Sequence, residues 1–158
     1  MTTRDMDGLK IVQAEANHLD HVAGLFDQYR MFYGLPSNMS RAREFIHDRM
    51  EKGDSIIFLA QAKIEGRAVA LGFTQLYPSY SSVSMQRLWI LNDLYVDQRS
   101  RNRGVGRALI DRACKLAIDT GAKGLILETA IDNRVAKRLY EEYGFAKDAK
   151  FNRYSLDL

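Results

Sequence analysis

An apolar run over residues 89–96 gives way to a short turn at 97–100, then to Arg101-Asn102-Arg103-Gly104-Val105-Gly106, and then to an amphipathic helix. Few chain geometries accept that succession. Alternating and continuous apolar residues predict a strand over 89–96. From Val105 onward, Val105, Leu109, Ala113, Leu116 and Ala117 recur at helical spacing, while Arg107, Asp111, Lys115 and Asp119 occupy the other side. A glycine-interrupted turn feeding a helix aims several backbone N–H groups at one point, where the helix dipole is positive. Glycine lets an anion approach the backbone without a Cβ in the way. The segment therefore predicts a phosphate site, with Arg99, Arg101 and Arg103 raising the local potential.

Two common phosphate binders fit poorly. The P-loop requires a Lys-Ser/Thr pair that does not follow Gly104. The dinucleotide fingerprint requires a third glycine or alanine where Leu109 stands, although Glu128 falls at a distance suited to a ribose-binding acid. That fold also places its first strand-turn-helix early in the domain, and here the unit comes late. A nucleic-acid reading would use the same arginines on a phosphodiester, but no recognition helix or aromatic RNA-stacking motif accompanies them. The pyrophosphate of an acyl carrier such as coenzyme A remains a good candidate.

A second motif joins the first. After the strand ending Asn92-Asp93-Leu94-Tyr95-Val96 and the Arg-x-x-Gly-x-Gly turn, residues 124–130 read as a further strand. Asn133, Ala136, Leu139, Tyr140, Gly144 and Phe145 then form an Asn-x-x-Ala-x-x-Leu-Tyr-x-x-x-Gly-Phe pattern. The pair, in this order, resembles the GNAT superfamily of N-acetyltransferases over about residues 88–146, in particular its polyamine, amino-acid and histone-type members. The resemblance implies an α/β fold in one domain over residues 1–158. Its mixed, mostly antiparallel central sheet would be splayed at the cofactor site and flanked by helices. It implies acetyl-CoA as cosubstrate and no metal. Leu94, Tyr95, Val96, Arg101, Asn102, Arg103, Gly104, Val105, Gly106, Arg107, Asn133 and Tyr140 would contact it. In the family the strand holding Leu94 and Val96 splays from its neighbour, often at a bulge, and its freed amides bind pantetheine and the acetyl carbonyl. Asn92 and Asp93, polar inside an apolar strand, fit such a bulge. Asn133 would bond the pantetheine or pyrophosphate; helix N-capping is its plainer use.

The chemistry fixes which further groups are needed. An alkyl ammonium must shed a proton before attacking a thioester, a cost of about 3 pK units or roughly 4 kcal/mol at neutral pH. The departing sulfur needs a proton, which a tyrosine can supply. By resemblance Tyr140 is that acid; by helix periodicity alone it would be a core aromatic beside Leu139. For the base, a diamine-acetyltransferase-like strand reads Glu-Asp-Leu-Tyr-Val, and Asn92 stands here in place of its glutamate, so that assignment does not transfer. Asp93 is the candidate catalytic carboxylate, with Glu128 a second, either direct or through water. Both have a structural alternative, and an acceptor arriving as the free base would need neither. Strict alternation puts Asp93 and Tyr95 on one face and Asn92, Leu94 and Val96 on the other.

Length and composition agree with this reading. The chain has 158 residues, enough for one domain with a sizeable core, and 46% hydrophobic with 27% charged content is ordinary for a globular protein. Residues 1–10 contain no apolar leader core, and no run is long enough to span a bilayer. One cysteine, Cys114, excludes an internal disulfide framework and suits a reducing cytoplasm. His18, His21 and His47 lack metal-ligand spacing.

The pattern along the chain predicts strand 9–14, helices 19–33 and 40–51 (Ser40 as cap), strand 55–62, a turn at 64–67 and a hairpin partner at 68–77. A loop over 77–84 and a terminal strand at 154–158 complete the order β-α-α-β-β-β-α-β-α-β. Residues 76–82 and 29–35 would wall an acceptor pocket. A small primary amine, polyamine or amino acid is the expected acceptor, with protein lysine as alternative and a non-catalytic acyl-CoA sensor as the competing class. No nucleic-acid or membrane partner is expected, and the exposed last strand predicts a homodimer.

Overall fold

A computed structural model describes residues 7–158. The chain divides into two compact units, Met1–Glu128 and Thr129–Leu158. The first holds β1 (Asp7–Gln13), α1 (Leu19–Phe32), α2 (Met39–Lys52), β2 (Ile56–Ile64), β3 (Arg67–Ser81), β4 (Gln86–Val96), α3 (Val105–Asp119) and β5 (Gly124–Ile126). The strands form one sheet in the order β1-β2-β3-β4-β5. The first three pairings are antiparallel and β4–β5 is parallel, so the expected mixed, mostly antiparallel sheet is present.

Alternation divides the sheet between two cores. Ile57, Leu59 and Phe73 face α1 and α2, where they pack with Leu19, Val22, Leu25 and Ile46. Their neighbours turn to the other side, where Phe58 lies under Arg112 of α3 and the buried Leu109, Ile110, Ala113 and Ala117 line that helix. Each such large side chain, fully buried, contributes about 1.5–3 kcal/mol. Of the predicted α3 stripe, Val105, Leu109, Ala113 and Ala117 are buried and Leu116 is half-buried, and Ile110, which the stripe omitted, is buried with them.

Local chemistry sets the ends of the elements. Gly34, at φ 81°, follows the end of α1. Asn38, rather than Ser40, caps α2, its side chain accepting from the Arg41 amide at 3.1 Å. The Ser40 expectation fails because the amide partner of a cap lies three residues on, and Asn38 reaches it first. The buried Asp27 accepts from Ser37 Oγ at 2.6 Å and from the Asn38 amide at 2.7 Å, which ties the α1–α2 connection back onto α1.

Three expectations are corrected. Residues 77–84 are largely strand: β3 continues to Ser81 and returns as β4 from Gln86, because Tyr77 to Ser81 find cross-strand partners in Ile90 to Gln86. The strand expected over 124–130 pairs only at Gly124–Ile126. Residues 154–158 form no strand and are exposed, so the edge on which a homodimer was expected is not formed.

The second unit contains α4 (Arg134–Tyr143). No helix among the described residues is long and apolar enough to cross a membrane.

Candidate active site

The phosphate turn begins where β4 ends. The Asp97 amide donates to the Leu71 carbonyl at 2.8 Å, and its side chain accepts from the Arg99 amide at 2.9 Å, closing a single 3-10 turn over Gln98–Ser100. Asn102 and Gly104 are both left-handed, at φ 59° and 78°, so the backbone curls twice before entering α3. Gly104 is the N-cap residue and offers no side-chain cap. Its carbonyl accepts the first helical bond from the Ala108 amide at 3.0 Å. The amides of Val105 and Gly106 therefore sit in the first helical turn, where an α-helix has no carbonyl to give them. Buried Val105 anchors that turn to the core. This is the concave amide geometry that holds phosphate.

The arginines divide their work. Arg101 turns back: its Nε donates to the Val96 carbonyl at 3.2 Å, and its guanidinium lies 5.5 Å from the Phe32 ring and 5.7 Å from Tyr95. It braces the end of β4 against α1 and borders an open cleft of about 670 Å3 shared with Gln28, Phe32, Tyr95 and Arg99. Arg99 is exposed beside Asp97, Arg103 is half-buried and Arg107 exposed.

Along β4 the register changes at Asn92. Gln75 pairs with Asp93 but Leu76 pairs with Leu91, so Asn92 is an extra residue, a β-bulge. On the opposite edge, pairing with β5 covers only Leu88, Trp89 and Ile90. Beyond Ile90, no strand among the described residues pairs with that edge of Leu94, Tyr95 and Val96. The bulge and the splay both occur where Asn92-Asp93 interrupts the apolar run.

The bulge also decides which side each residue takes. Asp93 and Tyr95, paired with Gln75 and Phe73, face α1 as alternation predicts. Trp89 takes the α3 side, its indole donating to Thr120 Oγ1 at 2.9 Å, although it is separated from Asp93 by an even number of residues. One inserted residue accounts for the inversion.

Asp93 sits at the centre of a polar cluster on the α1 side. It is 5% exposed. Gln75 Nε2 donates to its Oδ2 at 2.9 Å and Asn92 Nδ2 donates to its Oδ1 at 3.2 Å, with the Tyr29 hydroxyl nearby. Burial pushes the Asp93 carboxyl above the usual carboxylate range, and these donors only partly oppose it. Burial, then the nearby Asp93 charge, raises the Tyr29 phenol. The same two causes push Tyr77 up to about 12, with Arg49 partly opposing. Both phenols are protonated at neutral pH. Tyr29 and Tyr77 come one each from the two segments, 29–35 and 76–82, expected to wall an acceptor pocket. Gln75 and Ser55 belong to this cluster and were not anticipated. Their signal was a glutamine inside the apolar run Leu71-Gly72-Phe73-Thr74-Gln75-Leu76, since a buried amide requires partners.

In the second unit, Asn133 caps α4, its side chain accepting from the Ala136 amide at 3.2 Å. The plainer use of Asn133 is therefore realised, and its amide nitrogen is the group left to the cosubstrate role. At the other end Gly144 is left-handed at φ 116°. The Gly144 amide donates to the Glu141 carbonyl at 3.1 Å and the Phe145 amide to the Tyr140 carbonyl at 2.9 Å. This is a Schellman cap, whose companion apolar contact is the Tyr140–Phe145 ring pair at 5.8 Å. The Tyr-x-x-x-Gly-Phe spacing thereby fixes the Tyr140 ring at a rigid helix end. Among the described residues no group of three His, Cys, Asp or Glu is placed to hold a metal.

Known proteins share this sequence pattern and fold. A sequence model described as the Acetyltransferase (GNAT) family matches residues 22–145. The chain is 41% identical to the uncharacterized N-acetyltransferase YhfO of Bacillus subtilis (strain 168), over 95% of this chain and 98% of that protein. It is 30% identical to a probable acetyltransferase of Haemophilus influenzae, over 95% and 99% of the two chains. A crystal structure of a probable acetyltransferase superposes with TM-score 0.87 at 44% identity, covering 94% of this chain and 97% of that one. An aminoglycoside N-acetyltransferase solved in complex with CoA shares the fold, with TM-score 0.77 at 21% identity and full coverage of both chains.

Proposed function

This chain belongs to the acetyltransferase (GNAT) family, and from that membership we propose that it acetylates a small primary amine, a polyamine or an amino acid, using acetyl-CoA. The buried carboxylate of Asp93, set on the α1 side by the bulge at Asn92, carries the reading. A carboxyl raised by burial is a stronger base than an exposed one and narrows the gap to an ammonium. Tyrosine faces beside it suit a cationic acceptor.

The amides at the start of α3, with Arg103 and Arg107 alongside, hold the pyrophosphate, and Arg101 keeps the end of β4 in place. The unpaired edge of Leu94, Tyr95 and Val96 bonds the pantetheine and polarises the thioester carbonyl. Asp93 takes a proton from the acceptor ammonium, directly or through water. The amine nitrogen attacks the carbonyl carbon, a C–N bond forms and the C–S bond breaks. Tyr140 gives its proton to the departing sulfur, so that CoA leaves as the thiol, and the nitrogen loses its second proton to solvent.

The test is a screen of polyamines, amino acids and lysine peptides for release of free thiol from acetyl-CoA. Turnover with a small amine supports the reading. Turnover confined to lysine peptides overturns the acceptor class, and acetyl-CoA binding without thiol release from any acceptor overturns the enzymatic reading.

A further inference from the structure

Gln75 is completely buried, and no hydrogen bond of its side chain runs to the turn before α3. Both ends of its amide are committed. Ser55 Oγ donates to Gln75 Oε1 at 2.9 Å, and Gln75 Nε2 donates to Asp93 Oδ2 at 2.9 Å. The three residues come from the entrance of β2, from β3 and from β4, so the chain of bonds crosses the sheet. A primary amide has one acceptor end and one donor end, and a serine hydroxyl can donate to only one of them. The ionised carboxylate only accepts and so takes the NH2 end, and Ser55 holds the opposite oxygen and supports that orientation.

We infer that Gln75, oriented by Ser55, is a positioning residue that fixes the Asp93 carboxylate for proton abstraction from the acceptor. The inference rests on the reading of Asp93 as the base. An ionised carboxylate offers about four lone-pair positions. Gln75 and Asn92 engage one oxygen each, which opposes rotation and leaves the proton to be taken at a defined place. Donors of this kind also favour the charged form, so they oppose the upward push of burial on the Asp93 carboxyl. Gln75 therefore sets both the direction and the basicity of Asp93.

Other groups facing Asp93 do not substitute for it. Tyr29 from α1 and Tyr77 from β3 remain protonated, because burial raises both. Tyr33 lies beyond Tyr29, with ring centroids 5.1 Å apart. Arg49 of α2 and Asp54 before β2 form an ion pair at 3.0 Å and act on Tyr77. Tyr95 shares the face two residues along β4.

The experiment is the pH dependence of kcat/KM for the amine in Gln75→Met, Ser55→Ala, Asp93→Asn and the Gln75→Met/Asp93→Asn double variant, with acetyl-CoA saturating. Asp93→Asn should abolish the acid limb of the profile. Gln75→Met, which keeps the volume and removes the donor, should move that limb upward by about one pH unit. Ser55→Ala should move it the same way by less, and the double variant should lose no more than Asp93→Asn alone. KM for acetyl-CoA should stay unchanged in the single variants. If the limb vanishes in Asp93→Asn but stays in place in both Gln75→Met and Ser55→Ala, the positioning inference is wrong and the base stands. If Asp93→Asn keeps the wild-type limb, the base reading itself fails. Should Gln75→Met not fold, Ser55→Ala decides.

Discussion

Replacing Gly72 by alanine tests the proposed geometry of β4 from its back. Gly72 pairs with Val96, and a Cβ built on it would stand 2.7 Å from the Tyr95 carbonyl oxygen, 3.2 Å from Val96 Cα and 3.4 Å from Leu109 Cδ1. The leucine methyl can swing away, but a carbonyl in a paired strand cannot. Ordinary contact begins at 3.4 Å, so the backbone at Tyr95 must retreat by about 0.7 Å. Overpacking of this size costs about 1–3 kcal/mol. For a domain of this length each kcal/mol lowers Tm by about 2–4 °C, which predicts a fall of about 2–12 °C. The displaced segment is the one proposed to bond pantetheine, so the Kd for acetyl-CoA should rise as well. Gly24→Ala is the control. Gly24 lies within α1 and a Cβ there meets nothing within 4 Å, so alanine should raise stability by up to about 1 kcal/mol. Differential scanning calorimetry and titration calorimetry read both effects. A Gly72→Ala protein that melts at or above the wild-type temperature would refute the close approach.

Three further outcomes are expected. Gly104→Val should weaken acetyl-CoA binding in titration calorimetry, because a β-branched residue does not hold φ 78° at the head of α3; unchanged binding counts against the phosphate turn. Tyr140→Phe keeps the ring against Phe145 and removes the proton donor, so kcat should fall by about 10²–10⁴-fold with little change in acetyl-CoA affinity; wild-type turnover, with chemistry rate-limiting, removes Tyr140 from the mechanism. Asp93→Asn should melt higher than wild type at neutral pH. The folded carboxyl titrates above its unfolded value, so the folded state loses stability as pH rises from the unfolded value through the folded one, and the difference should vanish only below about pH 3, under the unfolded value of about 3.9, where the carboxyl is protonated in both states.

Much of the fold is written in local pattern. The α3 stripe, the Gly34 and Gly53 helix exits and the turn between Ile64 and Arg67 each follow from residues within one or two turns of one another. The turn before α3 is legible for the same reason: left-handed positions at Asn102 and Gly104 need no distant partner. Residues 77–81 misled because tyrosine, serine and proline read as loop, whereas cross-strand pairing with 86–90 holds them extended. Residues 154–158 misled in the opposite sense, since alternation alone does not form a strand without a neighbouring edge to bond.

The Asp93 cluster lay beyond the sequence because its members are brought together by register. Ser55, Gln75 and Asp93 are far apart in the chain and meet only because Gln75 lies opposite both Ile57 and Asp93. That register depends in turn on Asn92. Without the extra residue, strict alternation would place Leu91 and Trp89 on the same side as Asp93. The buried indole could not then reach Thr120 on α3 while the carboxylate faced Tyr29 on α1. The asparagine that cannot serve as a base itself thus has two structural consequences. It separates the side on which Asp93 can meet an acceptor from the side that packs α3. It also stands just past the point where β4 leaves β5, at Ile90, and where its edge becomes unpaired among the described residues. A polar pair in an apolar strand is therefore informative chiefly through the backbone irregularity it permits.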